Sequence, residues 1–183
     1  MNSKTAQVCQ LVAADGVACN SPVNRSRFAT TAYDRLRILE RYKRIAIVGL
    51  SSNPFRPSHF AAIYLLAHGY EVIPVNPKEQ QILGKACYTN LRHIPGAIEV
   101  VDIFREPSAV PAIVEEAIDM GAKVIWMQLG VICEAAAERA REAGLEVVMD
   151  RCMKIEHARF FGGLSTIGLN TGVISAQRRR ASR

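Results

Sequence analysis

The sequence has 183 residues, of which 49% are hydrophobic and 22% are charged, and its formal net charge is +6. This length and composition fit one globular domain with loose ends. No apolar run approaches the roughly 20 residues that span a bilayer. The first residues also lack the basic and apolar regions of a signal peptide, so we expect no membrane partner and a cytoplasmic location.

The positive charge lies at the two ends of the chain. Residues 1–44 hold 8 basic and 3 acidic side chains, residues 178–183 add 4 basic ones, and residues 45–177 hold 11 basic and 14 acidic ones. Basic ends can bind RNA or anionic surfaces. One possible function is therefore that of an RNA-associated or regulatory adaptor. No recognition-helix pattern accompanies them, and we do not expect a nucleic-acid partner. The sequence names no protein partner.

The chain alternates between two kinds of segment after residue 30. Residues 1–30 lack periodicity and predict a flexible arm, and a short helix is expected within residues 32–44. Apolar runs predict five buried parallel strands at residues 44–50, 70–75, 98–104, 122–128 and 145–150. Helices are predicted at residues 58–69, about 110–121, 133–144 and 150–160. Residues 76–97 predict a loop-dominated crossover with one short helix near residues 90–93.

This alternation predicts βαβ units with right-handed crossovers. The predicted fold class is therefore α/β, a doubly wound, Rossmann-like parallel five-stranded sheet with helices on both faces. Residues 31–161 form the predicted single domain, and residues 162–183 form a carboxyl-terminal extension with a basic tail.

The segment GLSSNPFRPSHF, residues 49–60, joins the first strand to a helix. Gly49 permits close backbone approach, and donors follow at Ser51, Ser52 and Asn53. Arg56 places a fork-shaped cation beside the helix amino terminus, where Ser58 is the expected cap. Donors, a helix dipole and an arginine together suit a diphosphate or another dianion.

The end of the second strand indicates which nucleotides fit. An NAD site needs an acidic residue about 20 residues past the glycine loop, whereas this chain has Asn76, Pro77 and Lys78. Asn76 can bind a ribose, and Lys78 favours an extra phosphate on it. NADP and coenzyme A, which both carry a ribose monophosphate, remain open. The sequence does not fix the direction of the neighbouring Glu79.

Four motifs, in their order and spacing, resemble the stand-alone CoA-binding domain family. They are GLSSNPFRPSHFAAIYLLAHGYEVIPVNPK, VDIFREP, WMQLGV and VVMDRCMKIEH. That family is similar to the nucleotide-binding domain of the succinyl-CoA synthetase α subunit. The resemblance covers about residues 44–161. It implies coenzyme A as the cofactor, with Ser51, Ser52, Asn53 and Arg56 around the phosphates and Asn76, Pro77 and Lys78 at the adenosine end. It also implies that Phe104, Arg105, Gln128 and Gly130 line the pantetheine path.

No catalytic constellation or metal site is predicted. The five cysteines form no Cys-x-x-Cys pair. Cys152, Glu156 and His157 have no visible third ligand, so we expect the thiol to pack and the other two side chains to bond locally. We therefore predict a protein that binds coenzyme A or an acyl-CoA without catalysis of its own. The alternative is an NADP-dependent oxidoreductase.

Overall fold

The computed structural model describes residues 30–162. The predicted arm therefore lies outside the described residues except for Thr30, and the predicted extension lies outside them except for Gly162. No helix within residues 30–162 is long and apolar enough to cross a membrane.

Seven strands and five α-helices make up this region, with two 3₁₀ turns at Leu91–His93 and Pro107–Ala109. The strands are β1 Arg44–Val48, β2 Glu71–Val75, β3 Gln81–Ile82, β4 Lys85–Ala86, β5 Val100–Ile103, β6 Val124–Met127 and β7 Glu146–Val148. The α-helices are α1 Ala32–Arg41, α2 Pro57–Ala67, α3 Val110–Asp119, α4 Glu134–Glu142 and α5 Met153–Phe161.

Five of the strands form one parallel sheet in the order β2-β1-β5-β6-β7. The register places Ile45 opposite Val72 on one side and opposite Val100 on the other. The predicted doubly wound, Rossmann-like sheet of five parallel strands is therefore confirmed. The predicted strands were each one to three residues too long at one or both ends, because the apolar runs continue into the loops.

The two faces of the sheet pack against different helices. One core joins the sheet to α3 and α4 through residues such as Val114 and Ala137. The other joins it to α1, α2 and α5 through residues such as Leu39, Leu65 and Met153. Both faces of the central strands are covered, which explains their nearly unbroken apolar sequence. Trp126 in β6 is fully buried in the second core.

The connection between β2 and β5 contains a hairpin that the sequence did not predict. β3 and β4 pair antiparallel across a two-residue turn. Leu83 and Gly84 in that turn both have positive φ angles, of 53° and 74°, as a type I′ turn requires. Tyr88 then returns beside Val75 in a parallel bridge. The short helix predicted near residues 90–93 is present as the 3₁₀ turn at Leu91–His93.

Candidate ligand-binding cleft

A cleft opens at the carboxyl ends of the sheet, where the strand order reverses. β1 lies between β2 and β5, and the helices that follow β1 and β5 belong to cores on opposite faces. Connections that leave in opposite directions create a crevice at this point, which is where open α/β sheets bind ligands. The cleft has a volume of about 1070 Å³, which accommodates a cofactor-sized molecule.

Gly49 begins the loop after β1 and approaches β5 closely. Its φ angle is +87°, and a Cβ atom there would lie 2.7 Å from the carbonyl oxygen of Phe104. The Gly49 amide donates to the Val75 carbonyl oxygen at 2.9 Å. Glycine is therefore needed both for the backbone conformation and for space between the ends of the strands.

The rest of this loop is fixed to the first turn of α2. The Ser51 amide donates to the Ser58 hydroxyl at 3.2 Å, and the Ser51 carbonyl oxygen lies 2.8 Å from Nδ1 of His59. Since a carbonyl oxygen only accepts, Nδ1 of His59 carries the proton of this bond. Asn53 accepts a bond from the Phe55 amide at 2.9 Å. His59 is buried here, and its role in holding this loop was not predictable from the sequence.

The prediction that Ser58 caps α2 is wrong. The helix begins at Pro57, its N-cap residue is Arg56, and no side chain caps it. Ser58 is the second helical residue, is buried, and accepts from the loop instead. Proline at the first helical position explains the shift, because its missing N–H and fixed φ suit that position. The first turn contains no acidic residue, so nothing within it offsets the positive end of the helix dipole.

The turn after β2 carries the predicted adenosine-end residues. Asn76 donates from Nδ2 to the Leu50 carbonyl oxygen at 2.8 Å and accepts from the Lys78 amide at 3.0 Å. Its amide thus joins the loops after β1 and β2. Glu79 accepts a bond from the Ser52 hydroxyl at 2.6 Å, which joins the same two loops.

A buried polar pair lies at the ends of β5 and β6. Gln128 donates from Nε2 to Oδ1 of Asp102 at 2.7 Å, and both side chains are buried. Oδ2 of Asp102 has no partner among the described residues. Burial raises the pKa of Asp102 to about 7, although the bond from Gln128 acts in the opposite direction. The protonated and ionised forms are therefore both accessible near neutral pH.

Nine of the thirteen predicted site residues line this one cleft, namely Gly49, Ser51, Arg56, Ser58, Asn76, Lys78, Phe104, Arg105 and Gln128. The other four, Ser52, Asn53, Pro77 and Gly130, are exposed and lie outside the lining. The Gly130 amide donates to Oδ1 of Asp150 at 2.9 Å.

The sequence missed several lining residues, namely Phe55, Phe60, Glu79, Leu129, Val131, Cys152, Lys154 and Ile155. Phe55 and Phe60 flank Arg56 and are 91% and 60% exposed. The sequence signal that could have indicated them is the pair of phenylalanines on either side of Arg56 in an otherwise polar segment. The contribution of α5 had no such signal, because only the packing of α5 against α2 brings its first turn to the cleft.

Positive charge dominates the lining. Arg56, Lys78, Arg105 and Lys154 supply four cations, and Glu79 is the single carboxylate among the described lining residues. None of the four forms an ion pair with another described residue. Nζ of Lys154 lies 5.5 Å from the ring centre of Phe60. Cations with no carboxylate partner in a cleft suit a ligand with several negative charges.

The segment at residues 150–160 is structural in part. Glu156 is buried and accepts from Nε of Arg35 in α1 at 2.8 Å and from Arg159 at 3.2 Å. His157 lies 3.1 Å from the Tyr64 hydroxyl. Glu156 therefore bonds locally to Arg159, as expected, and also joins α1 to α5 through Arg35, which was not expected. The expectation of a local bond was wrong for His157, whose hydrogen-bond partner Tyr64 lies in α2. The described residues contain no cluster of three potential metal ligands.

The fold and the cleft define a doubly wound α/β protein with a cleft at the carboxyl ends of its strands that is lined mainly by positive charge. The sequence model described as "CoA binding domain" matches residues 43–158, and the chain belongs to that family. The resemblance drawn from the four motifs is confirmed.

Three relatives illustrate the family. The chain is 42% identical over 121 residues to the uncharacterized protein YneT of Bacillus subtilis, covering 66% of this chain and 90% of YneT. A hypothetical protein from Pyrococcus horikoshii has a solved structure with 47% identity and a TM-score of 0.70, covering 72% of this chain and 92% of that one. The ADP-forming acetate–CoA ligase II of Archaeoglobus fulgidus is 30% identical over 152 residues, covering 80% of this chain but 22% of the ligase.

Proposed function

We propose that this protein binds coenzyme A or an acyl-CoA in the cleft at the carboxyl ends of β1, β2, β5 and β6. The observation that carries the proposal is that four cations without a described carboxylate partner line one cleft in a chain of the CoA-binding domain family. Coenzyme A carries a diphosphate and a ribose 3′-phosphate, and a polyanion of this kind needs such a site.

The proposed pose follows the strand order. The diphosphate lies against the loop after β1, near Arg56 and the amino terminus of α2. The ribose phosphate lies at the end of β2, near Lys78. The pantetheine arm then passes Phe104, Arg105 and Gln128. In this pose the pantetheine arm crosses the ends of the strands, which are about 4.8 Å apart. It runs from the β2 edge of the sheet toward Cys152 and Lys154.

Binding, and not a reaction, is what we propose. The chain spans 22% of the length of the acetate–CoA ligase that it resembles, and the ligase reaction is not transferred to it. The comparisons give no support to the NADP-dependent oxidoreductase that the sequence left as an alternative.

A thermal-shift panel of coenzyme A, acetyl-CoA, NADP, NAD and ATP tests the proposal. A ligand at 100 times its dissociation constant stabilises the native state by about 2.7 kcal/mol. For a domain of this size, that corresponds to a rise in Tm on the order of 10 °C. Coenzyme A or acetyl-CoA should give the largest rise. A larger rise with NADP than with either CoA compound would refute the proposal.

Lys78→Ala tests the adenosine end of the site. The exposed ammonium is expected to contact the 3′-phosphate through solvent-screened attraction, so the substitution should weaken coenzyme A binding about 2- to 12-fold. Dephospho-CoA, which lacks that phosphate, should bind both proteins equally in calorimetric titrations, which closes a double-mutant cycle.

The matched control is Lys123→Ala, because Lys123 is exposed just before the amino end of β6, away from the cleft. Equal losses for coenzyme A and dephospho-CoA in Lys78→Ala would place the lysine elsewhere than at the 3′-phosphate.

A further inference from the structure

Glu79 is a carboxylate in a cleft that otherwise presents positive charge. Lys78, Arg56, Arg105 and Lys154 line the same cavity, and a negative group among them opposes the binding of any polyanion. Such a carboxylate is favourable for binding only where the ligand offers it a hydrogen-bond donor. The lining at Glu79 therefore points to a hydroxyl on the ligand, next to a phosphate.

The position of Glu79 is held by the turn after β2. The Lys78 amide donates to Oδ1 of Asn76 at 3.0 Å, and the Glu79 amide donates to the Asn76 carbonyl oxygen at 3.4 Å. The carboxylate is half-buried, and its Oε1 accepts from the Ser52 hydroxyl at 2.6 Å. An ionised carboxylate has about four acceptor positions, so acceptor capacity remains toward the cleft.

We propose that Glu79 determines which sugar the site accepts, by accepting a hydrogen bond from a free ribose 2′-hydroxyl while Lys78 contacts a phosphate on the neighbouring 3′ position. This inference rests on the proposed function and deepens it. A 2′-phosphate, as in NADP-type nucleotides, would meet a carboxylate of like charge at this position. The pair Lys78 and Glu79 thus distinguishes the two ribose monophosphates that the sequence left open.

The bond from Ser52 offers a competing explanation, in which Glu79 only ties the loops after β1 and β2 together. The two roles differ in what they affect. A tie between loops changes affinity for every ligand of the cleft, whereas a contact with the 2′-hydroxyl changes affinity only where that hydroxyl is altered. Removal of Ser52 breaks the tie and leaves the carboxylate in place.

The experiment titrates three ligands by calorimetry: coenzyme A, 2′-deoxy-CoA and the CoA isomer with its phosphate on the 2′ position. The proteins are the unaltered full chain, Glu79→Ala, Ser52→Ala and the control Glu142→Gln. Glu142 is exposed at the end of α4, outside the cleft lining. Thermal melts of each variant establish that it is folded.

The unaltered chain and Glu142→Gln should bind coenzyme A about 3- to 10-fold more tightly than 2′-deoxy-CoA, the usual effect of a hydrogen bond to a charged group that is partly exposed. In Glu79→Ala this ratio should fall to about one, within the scatter of such comparisons, and the 2′-phosphate isomer should bind more tightly than before. Ser52→Ala should retain the ratio even if all three affinities fall.

Three results would overturn the inference while leaving the proposed function intact. The first is coenzyme A binding with no preference over 2′-deoxy-CoA. The second is a preference that Glu79→Ala retains, and the third is a preference that Ser52→Ala abolishes as fully as Glu79→Ala does. No binding of any of the three ligands would refute the proposed function itself, and the inference with it.

Discussion

At Gly49 the missing side chain leaves the space in which the ends of β1 and β5 approach each other beside the candidate cleft. The substitution Gly49→Ala therefore tests both the fold and the cleft. An added methyl group would lie 2.7 Å from the Phe104 carbonyl oxygen and 2.9 Å from Cδ of Arg105. The arginine side chain can move away. The carbonyl oxygen belongs to the backbone, so its displacement costs more than that of a flexible side chain, and it lies next to the bond by which the Phe104 amide donates to the Val48 carbonyl oxygen at 2.9 Å.

The magnitude follows from a comparison with Gly84, which lies in the β3–β4 turn. Both glycines have positive φ angles, +87° and +74°, but a methyl group at Gly84 meets nothing within 4 Å. Alanine at either position costs about 1–2 kcal/mol for the left-handed conformation, offset by about 0.4–1 kcal/mol from the less flexible unfolded chain. Only Gly49→Ala adds an overpacking cost of about 1–3 kcal/mol.

Urea denaturation of the two variants measures the difference. We expect Gly84→Ala to lower the free energy of unfolding by about 1 kcal/mol and Gly49→Ala to lower it by about 2–4 kcal/mol, with unchanged m-values. Calorimetry on folded Gly49→Ala should also show weaker coenzyme A binding, because Phe104 and Arg105 must shift. Equal destabilisation by the two substitutions would refute the close approach of β1 and β5 at this point.

Two further predictions concern buried charge. Burial raises the pKa of Asp102 from 3.8 to about 7, so the native state binds this proton more tightly than the unfolded state does. The stability that results is present below about pH 4 and is lost as the pH rises toward 7. The free energy of unfolding of the unaltered protein should therefore fall between about pH 4 and pH 7, by at most about 4 kcal/mol relative to that of Asp102→Asn. Parallel pH profiles of stability for the two proteins would contradict the raised pKa of Asp102. Glu156→Gln weakens a pair with Arg35 whose side chains are 2% and 8% exposed and should destabilise the fold by about 2–4 kcal/mol. Glu115→Gln, whose pair with Arg139 is about half exposed, should cost less than about 1 kcal/mol in the same denaturation assay.

The parallel sheet was predictable because its strands are buried on both faces. A run such as residues 44–48 is apolar at nearly every position, and a helix pattern follows four of the five runs. Right-handed crossovers restrict the strand orders that such a chain can adopt, but the observed order, with its reversal between β1 and β5 at the cleft, comes from the structure. Most of the residues selected at the carboxyl ends of strands lie on one surface.

The β3–β4 hairpin was not predictable, because its strands have two residues each and show no alternation. Its turn places Leu83, and not asparagine or aspartate, at a positive φ angle, which removes the usual sequence signal for a type I′ turn. The direction of Glu79 was open for a related reason: it depends on the turn bonds made by Asn76. The bond between Arg35 and Glu156 joins residues 121 positions apart, and only the packing of α1 against α5 brings them together.

The loop after β1 is bonded to α2 at one residue and is exposed at the next two. Ser51 is bonded at both its amide and its carbonyl oxygen to side chains from the first turn of α2, and those side chains, Ser58 and His59, are buried. The next residues, Ser52 and Asn53, are exposed and lie outside the cleft lining, so they take no part in this buried contact. A site whose backbone is already fixed loses little conformational freedom on binding. This arrangement favours a cleft whose shape is fixed in the absence of a ligand, supported by the buried side chains of Ser58 and His59 in α2.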